Sequence, residues 1–315
     1  MAVAEQTFSN AEVYRPPSLW DRFKSTVGLF VTSKVALVGF FLVAFWVVIA
    51  LFADNCLYTP QCWFDENFEP TPVLARYSPT EQFRGENRQG PSEKHWLGTD
   101  RKGRDLWARL AHGSRTILTL APLSIFVALI IGGLMGVIAG YYGGLVDEVL
   151  MRILDALMAF PQILLYLVII AALGPSVFNI VLAITIAGTP GIARLIRGLT
   201  LDIKTRDYVA AAQTRGESAA YIMLVEILPN ASGPIVIDAM LRIGYAIFSI
   251  GTLGFLGLGL PPPSPDWGSM VSTGKGLIQA GHPWEAIWPS LAIAMVVVGL
   301  NLMADGLNEE SQRYR

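Results

Sequence analysis

The residues of this chain with chemical potential are few and stand apart from one another. Cys56 and Cys62 share one polar stretch, with five residues between them and no histidine at metal-ligand spacing, which argues against a zinc site. The gap permits a disulfide if the stretch faces an oxidising compartment, and two free thiols if it does not; the residues leave both readings open. Asp238 and Arg242 lie four positions apart, so in a helix they share one face and can pair. A phosphate loop would require Gly-x-x-x-x-Gly-Lys-Ser/Thr, and the nearest fragment, Ser272-Thr-Gly-Lys-Gly276, has the wrong order. No catalytic, cofactor or metal residues are therefore expected in this chain, and any ATP chemistry has to reside on another one.

A different kind of site is written in Tyr208-Val-Ala-Ala-Ala-Gln-Thr-Arg-Gly216, followed by Leu228-Pro229. Small side chains at Ala210, Ala211 and Ala212 let a groove of another protein approach a short helix closely. Gly216 is suited to ending that helix, and Pro229 to starting the next segment. Such a stretch serves as a rigid docking lever. The plain alternative is an ordinary amphipathic loop helix.

The elements that must hold this loop are set by hydrophobicity. Of 315 residues, 53% are apolar and 15% charged, with mean hydropathy +0.47; soluble domains carry roughly 25% charged residues. A net charge of -2 and a pI near 6.0 lack the basic excess of a nucleic-acid surface. Five windows are free of Asp, Glu, Lys and Arg: 35–53, 116–146, 156–193, 243–265 and 286–304. The third is too long for one span of about 20 residues. Gly174-Pro175-Ser176 near its middle divides it into a hairpin, which makes six transmembrane helices. The fifth span is expected to start earlier, near Ala231, and to take in Asp238 and Arg242.

Orientation follows from the basic residues. With the N-terminus inside, the cytoplasmic segments hold twelve Lys and Arg, and the short external loops hold only Lys275. Both termini are thus expected in the cytoplasm. Nothing in the N-terminal region has the form of a cleavable signal. The expected division is a cytoplasmic segment 1–34, a first transmembrane helix 35–53, an extracytoplasmic loop 54–113, a five-helix core 114–306 containing the cytoplasmic loop 200–230, and a cytoplasmic tail 307–315. Trp267, Trp284 and Trp288 read as an aromatic belt at the outer interface. Asp155 and Arg152 read as interfacial charges at the start of the third span.

The loop resembles the EAA loop of bacterial ABC importer permeases, with Ala211, Ala212, Gly216 and Leu228-Pro229 at that loop's spacing. Ala210 stands where the name-giving glutamate would sit, and Glu226 where many members are apolar. Three further stretches resemble the C-type permease of the dipeptide/oligopeptide (peptide/opine/nickel) family. They are His95-Trp-Leu-Gly-Thr-Asp-Arg-Lys-Gly-Arg-Asp105 with Arg109 and Gly113-Ser-Arg115, Phe160-Pro161, and Gly254-Phe-Leu-Gly-Leu-Gly-Leu-Pro-Pro-Pro-Ser-Pro-Asp-Trp-Gly268.

The resemblance implies an all-α integral membrane protein with the type I ABC importer permease fold, multi-pass in the bacterial inner membrane. It implies a second, non-identical permease, two ATPase subunits carrying ATP and Mg, and an extracytoplasmic solute-binding protein, all in a lipid membrane and none involving nucleic acid. The cargo would be peptides or related small solutes. Ala210, Ala211, Ala212, Gly216, Leu228 and Pro229 would couple to the ATPases. Gly254, Gly257 and Gly259 are candidates for an outer gate, and Asp238 and Arg242 for the pathway, with a simple packing ion pair as the plainer reading of the last two. The glycines Gly132, Gly133, Gly136 and Gly140 read as close helix packing. The competing function is an ion-coupled secondary transporter or channel working without an ATPase, for which Asp238 is the candidate carboxylate.

Overall fold

The computed structural model of the chain describes residues 33–55 and 71–313. Cys56 and Cys62, with the choice between a disulfide and two free thiols, lie outside the described residues, as does nearly all of the 1–34 segment. The helices are α1 (Lys34–Phe52), α2 (Leu106–Tyr142), α3 (Gly144–Met158), α4 (Gln162–Leu173), α5 (Val177–Ile203), α6 (Asp207–Thr214), α7 (Ser232–Phe255), α8 (Trp267–Gly274) and α9 (Trp284–Arg313). Among the described residues there is no strand beyond isolated bridges. Five helices, α1, α2, α5, α7 and α9, are long and apolar enough to cross a bilayer; α3 and α4 form a sixth span only if their 83° bend counts as one crossing.

Two boundaries differ from the sequence expectation, each for a physical reason. The helix α2 begins at Leu106, not near residue 114, because Asp105 caps it, its Oδ1 accepting from Ala108 N–H at 2.8 Å. Arg109 and Arg115, which close the charge-free window, are accommodated in the helix. The Arg115 guanidinium donates to Asp54 (2.9 Å) and to the Ala50 carbonyl (3.0 Å), and Arg109 donates to the Pro79 carbonyl (3.2 Å). The third span is broken at Ala159–Pro161, where proline lacks the N–H that would continue the helix and pushes its predecessor out of helical geometry. At about 1.5 Å per residue, the 12-residue α4 spans roughly 18 Å, short of a ~30 Å hydrocarbon core. The hairpin turn at Gly174-Pro175-Ser176 is present: Gly174 takes φ +85°, and the Ser176 hydroxyl accepts from Asn179 N–H at 3.1 Å to start α5.

Packing rests on small residues. The helices α2 and α5 form the largest helix pair. A Cβ on Gly132 would come within 2.7 Å of the Thr189 carbonyl oxygen and one on Gly140 within 2.7 Å of Thr200 Cβ, while one on Gly136 would overlap the Ala193 carbonyl. These glycines are the contact itself, as small-x-x-x-small spacing allows in lipid. The α1–α9 pair repeats the device with Gly39 against Gly299. Val38, Phe41, Phe45 and Val48 of α1 remain exposed, a face suited to lipid acyl chains.

At one end of the bundle residues 71–105 fold into a compact irregular cap. His95 is wholly buried, with Nδ1 2.8 Å from Asp105 Oδ2 and Nε2 2.9 Å from Glu86 Oε2. Asp100, also buried, accepts from Lys102 N–H (2.7 Å), Arg104 N–H (3.0 Å) and Arg104 Nε (2.7 Å). The Gly-Thr-Asp and Gly-Arg-Asp stretches thus tie the cap together and start α2. Trp267 is not part of an interface belt. It is 1% exposed, stacks edge-on to Trp46 (4.8 Å between centroids) and donates to the Leu110 carbonyl at 3.0 Å, because Gly113 leaves room for its indole.

Candidate functional site

The stretch expected to dock a partner sits at the end of the bundle opposite the cap. Val209 and Ala212 of α6 are fully buried, in one apolar cluster with Ile192, Ile196, Ile203 and Ile227. Ala210 and Ala211 are exposed on the other side of α6. Gly216 closes the helix in the left-handed region, φ +78°, with its N–H donating to the Gln213 carbonyl at 3.0 Å, a conformation that favours glycine. The six residues named for coupling therefore divide. Ala210, Ala211 and Gly216 are presented outward, Ala212 anchors the helix, and Leu228 and Pro229 are half-buried behind it.

The following segment, Ala219–Tyr221 running into a π-helical stretch Ile222–Ile227, differs from the expectation that Pro229 starts the next segment. Pro229 instead ends this stretch, and α7 begins at Ser232, whose hydroxyl donates back to the Pro229 carbonyl at 2.7 Å. The loop is fixed to the bundle by charge. Lys204 Nζ donates to the last-turn carbonyls of α2, Gly140 (3.0 Å) and Tyr141 (3.2 Å), where a cation suits the helix C-terminus. Arg215 reaches Glu217 (3.6 Å) and Glu226 (3.7 Å). The interfacial charges also pair, Asp155 with Arg194 and Arg152 with Glu148.

At the cap end, Gly254 and Gly259 touch: a Cβ on Gly259 would lie 2.6 Å from Gly254 Cα. Both press on the Asp266 carboxylate, leaving no room for a side chain on either. Gly257 ends α7 at φ +83°. Asp266 was not singled out from sequence, although Asp before Trp-Gly is a recognisable helix start. Its Oδ1 accepts from Gly268 N–H at 3.0 Å, while buried Oδ2 has no hydrogen-bond partner among the described residues. Burial pushes its carboxyl up to about 6, against the lowering effect of the Gly268 and Ser269 N–H groups. A cavity of about 210 Å³ lies beside these glycines, walled by Asp100, Arg104, Arg109, Thr273 and Glu285.

Asp238 and Arg242 are not part of that glycine cluster. Twelve residues of helix, roughly 18 Å, separate Arg242 from Gly254. Arg242 Nε donates to Asp238, and both side chains are about three-quarters buried. The pair stands beside a second cavity, of about 280 Å³, lined by Arg242 and Tyr245 of α7, Gln162 and Tyr166 of α4, Ile125 of α2 and Gly188 of α5. Gln162 and Tyr166 carry no sequence signal for this role, since their approach to α7 depends on the bend before α4.

Comparison with known proteins agrees with this architecture. Residues 132–312 match the family described as binding-protein-dependent transport system inner membrane component. The chain is 38% identical over 277 residues, 88% of its length and 85% of the relative's, to the dipeptide transport system permease protein DppC of Alkalihalophilus pseudofirmus. It is 41% identical over 222 residues, 70% of its length and 73% of the relative's, to the glutathione transport system permease protein GsiD of Pectobacterium atrosepticum. It is 33% identical over 292 residues, 93% of its length and 88% of the relative's, to the oligopeptide transport system permease protein OppC of Bacillus subtilis. An all-helical bundle with apolar spans, matched over most of its length by such relatives, belongs to the binding-protein-dependent inner membrane component family, as a multi-pass permease subunit of an ABC importer in the inner membrane.

Proposed function

We propose that this permease carries peptides or related small solutes, which an extracytoplasmic binding protein delivers at the cap end. It pairs with a second, non-identical permease, and two separate ATPase subunits holding ATP and Mg dock at the α6 end. Both termini then lie in the cytoplasm, in keeping with twelve basic residues on that side against Lys275 outside. The cargo class is drawn from the relatives, whose names specify dipeptide, glutathione and oligopeptide transport.

The observation that carries the coupling assignment is the two-sidedness of α6. Its buried side is locked into the bundle by Val209 and Ala212, while its outer side offers Ala210 and Ala211 with no bulk to obstruct a partner's groove. A helix so anchored transmits displacement to α2 and α5 through Lys204 and the Ile192–Ile196 cluster, the rigid contact that a switch between two packings requires. The test is purification of the tagged chain from its native membrane, with mass spectrometry of what accompanies it and an ATPase assay. Recovery of a second permease and Walker-containing subunits with ATPase activity is expected. Recovery of this chain alone or as a homodimer, without ATPase, would return the reading to a secondary transporter.

A further inference from the structure

We propose that the cap is seated on the bilayer: the face carrying Val73, Leu74, Trp96 and Trp107 lies in the headgroup layer of the leaflet at the cap end, with the Arg76 guanidinium on a phospholipid phosphate. The contact follows from the multi-pass membrane location alone and is independent of the orientation and partners proposed above.

The depth of this face is fixed by α1. Val38, Phe41, Phe45, Val48 and Phe52 are exposed, and at spacings of three and four they form one stripe, suited to acyl chains. At about 1.5 Å per residue the 19 residues of α1 cover roughly 28 Å, close to the ~30 Å of a hydrocarbon core, so Phe52 reaches its boundary. There the cap is stitched to the helix end. The Leu74 N–H donates to the Phe52 carbonyl (2.9 Å), and the Val73 and Ala75 N–H groups donate to the Ala53 carbonyl (3.1 Å each). Val73 and Leu74 are thus held at the boundary itself, continuous with the lipid-facing stripe. Left in water, they and Trp96 would form one apolar patch, 53%, 40% and 52% exposed.

Beyond the boundary the side chains change in the order that a membrane interface does. The Trp107 indole donates to the Leu74 carbonyl at 2.8 Å, and the Trp96 ring lies 6.1 Å from the Trp107 ring. Tryptophan suits this level because its ring is apolar and its N–H polar. The Arg76 guanidinium lies 4.6 Å over the Trp96 ring, and its Nη1 donates to the Glu93 carbonyl at 3.1 Å. Arg76 is exposed and takes φ +64°, so its place over Trp96 is kept against backbone strain. An arginine stacked on an indole at headgroup depth brings its charge to the level of the phosphates. The belt role that Trp267 does not fill falls on this face to Trp96 and Trp107.

The test uses the assembled complex in nanodiscs, with Cys56 and Cys62 replaced by serine and a bimane fluorophore on Leu74→Cys or, as the acyl-depth reference, on Phe45→Cys. The quenchers are phosphatidylcholine carrying a nitroxide near its headgroup or near its chain end, and aqueous iodide. The headgroup-level nitroxide is expected to quench most at Leu74 and the chain-end nitroxide most at Phe45, with iodide the weakest at both. Carried on phosphatidylglycerol at the same mole fraction, the headgroup-level nitroxide should quench at Leu74 as if enriched about fivefold over phosphatidylcholine, the scale of one basic side chain at an anionic headgroup. Arg76→Gln should abolish that enrichment and Arg76→Lys should keep it. Iodide as the strongest quencher at Leu74 would put the face in water, and quenching by neither lipid nor iodide would put it under another protein; either result overturns the proposal. Enrichment that is absent, or that persists in Arg76→Gln, overturns the phosphate contact.

Discussion

Replacing Asp266 by asparagine should stabilise the cap end of the bundle at neutral pH. The carboxylate is 5% exposed, its Oδ2 is unpartnered, and Gly254 and Gly259 close over it. Its proton affinity in the fold corresponds to about 6, against an ordinary 3.8. Between those values the folded chain binds more protons than the unfolded one, so stability falls as pH rises through this window. The contribution is fully present below about pH 4 and fully lost above about pH 6. At ~1.36 kcal/mol per tenfold change in affinity, the ionised carboxylate costs on the order of 3 kcal/mol at pH 7. Asparagine keeps an Oδ1 to accept from Gly268 N–H, so the start of α8 survives. In thermal unfolding of the purified complex, Asp266→Asn should raise the midpoint at pH 7.5, raise it only about a third as much at pH 4.5, and flatten the slope between. A variant less stable than the parent at pH 7.5, or one with the parent's pH slope, would refute the reasoning.

Three further outcomes follow from the packing. Gly136→Ala forces a methyl into the Ala193 carbonyl and should cost about 1–3 kcal/mol in the same assay, whereas Gly198→Ala, which meets nothing within 4 Å, should be neutral or stabilising by up to about 1 kcal/mol. His95→Ala strips the buried Asp105 of its ring partner and should cost roughly 3 kcal/mol, read as faster proteolysis within residues 71–105. Lys204→Met removes the cation from the α2 C-terminus and should reduce coupling of ATP hydrolysis to uptake while leaving membrane insertion normal; full coupling in that variant would mean that α6 moves independently of α2.

The spans were legible because a bilayer tolerates few formal charges, and their absence is visible without any knowledge of contacts. The same criterion misplaced the start of α2. Arg109 and Arg115 look like the end of a span until Pro79, Ala50 and Asp54 are seen to accept from them. Phe160-Pro161 was visible as a motif, but the 83° bend that it marks was not, since proline in a spanning helix can also be absorbed, as Pro122 is in α2 and Pro190 in α5. Trp267 reads as an interface residue because tryptophan commonly sits there; its burial depends on Gly113, 154 residues earlier in the chain. The Asp238–Arg242 pairing was readable from a local spacing. The cavity beside it was not, because Gln162, Tyr166 and Gly191 reach Arg242 only through the fold.

The most direct test of the coupling assignment is Ala211→Arg. Gly216 is the less informative position, because any side chain there strains a left-handed cap at φ +78° and confounds docking with folding. Ala211 is exposed and helical, so arginine at that position leaves the anchored face of α6 intact while placing bulk and charge at the centre of the docking surface. Measured by co-purification from membranes containing equal amounts of permease, recovery of the ATPase subunits should fall by more than about tenfold, the effect of disrupting the centre of an interface, and uptake should fall with it. Undiminished ATPase recovery and uptake in Ala211→Arg would contradict the assignment of α6 as the docking helix.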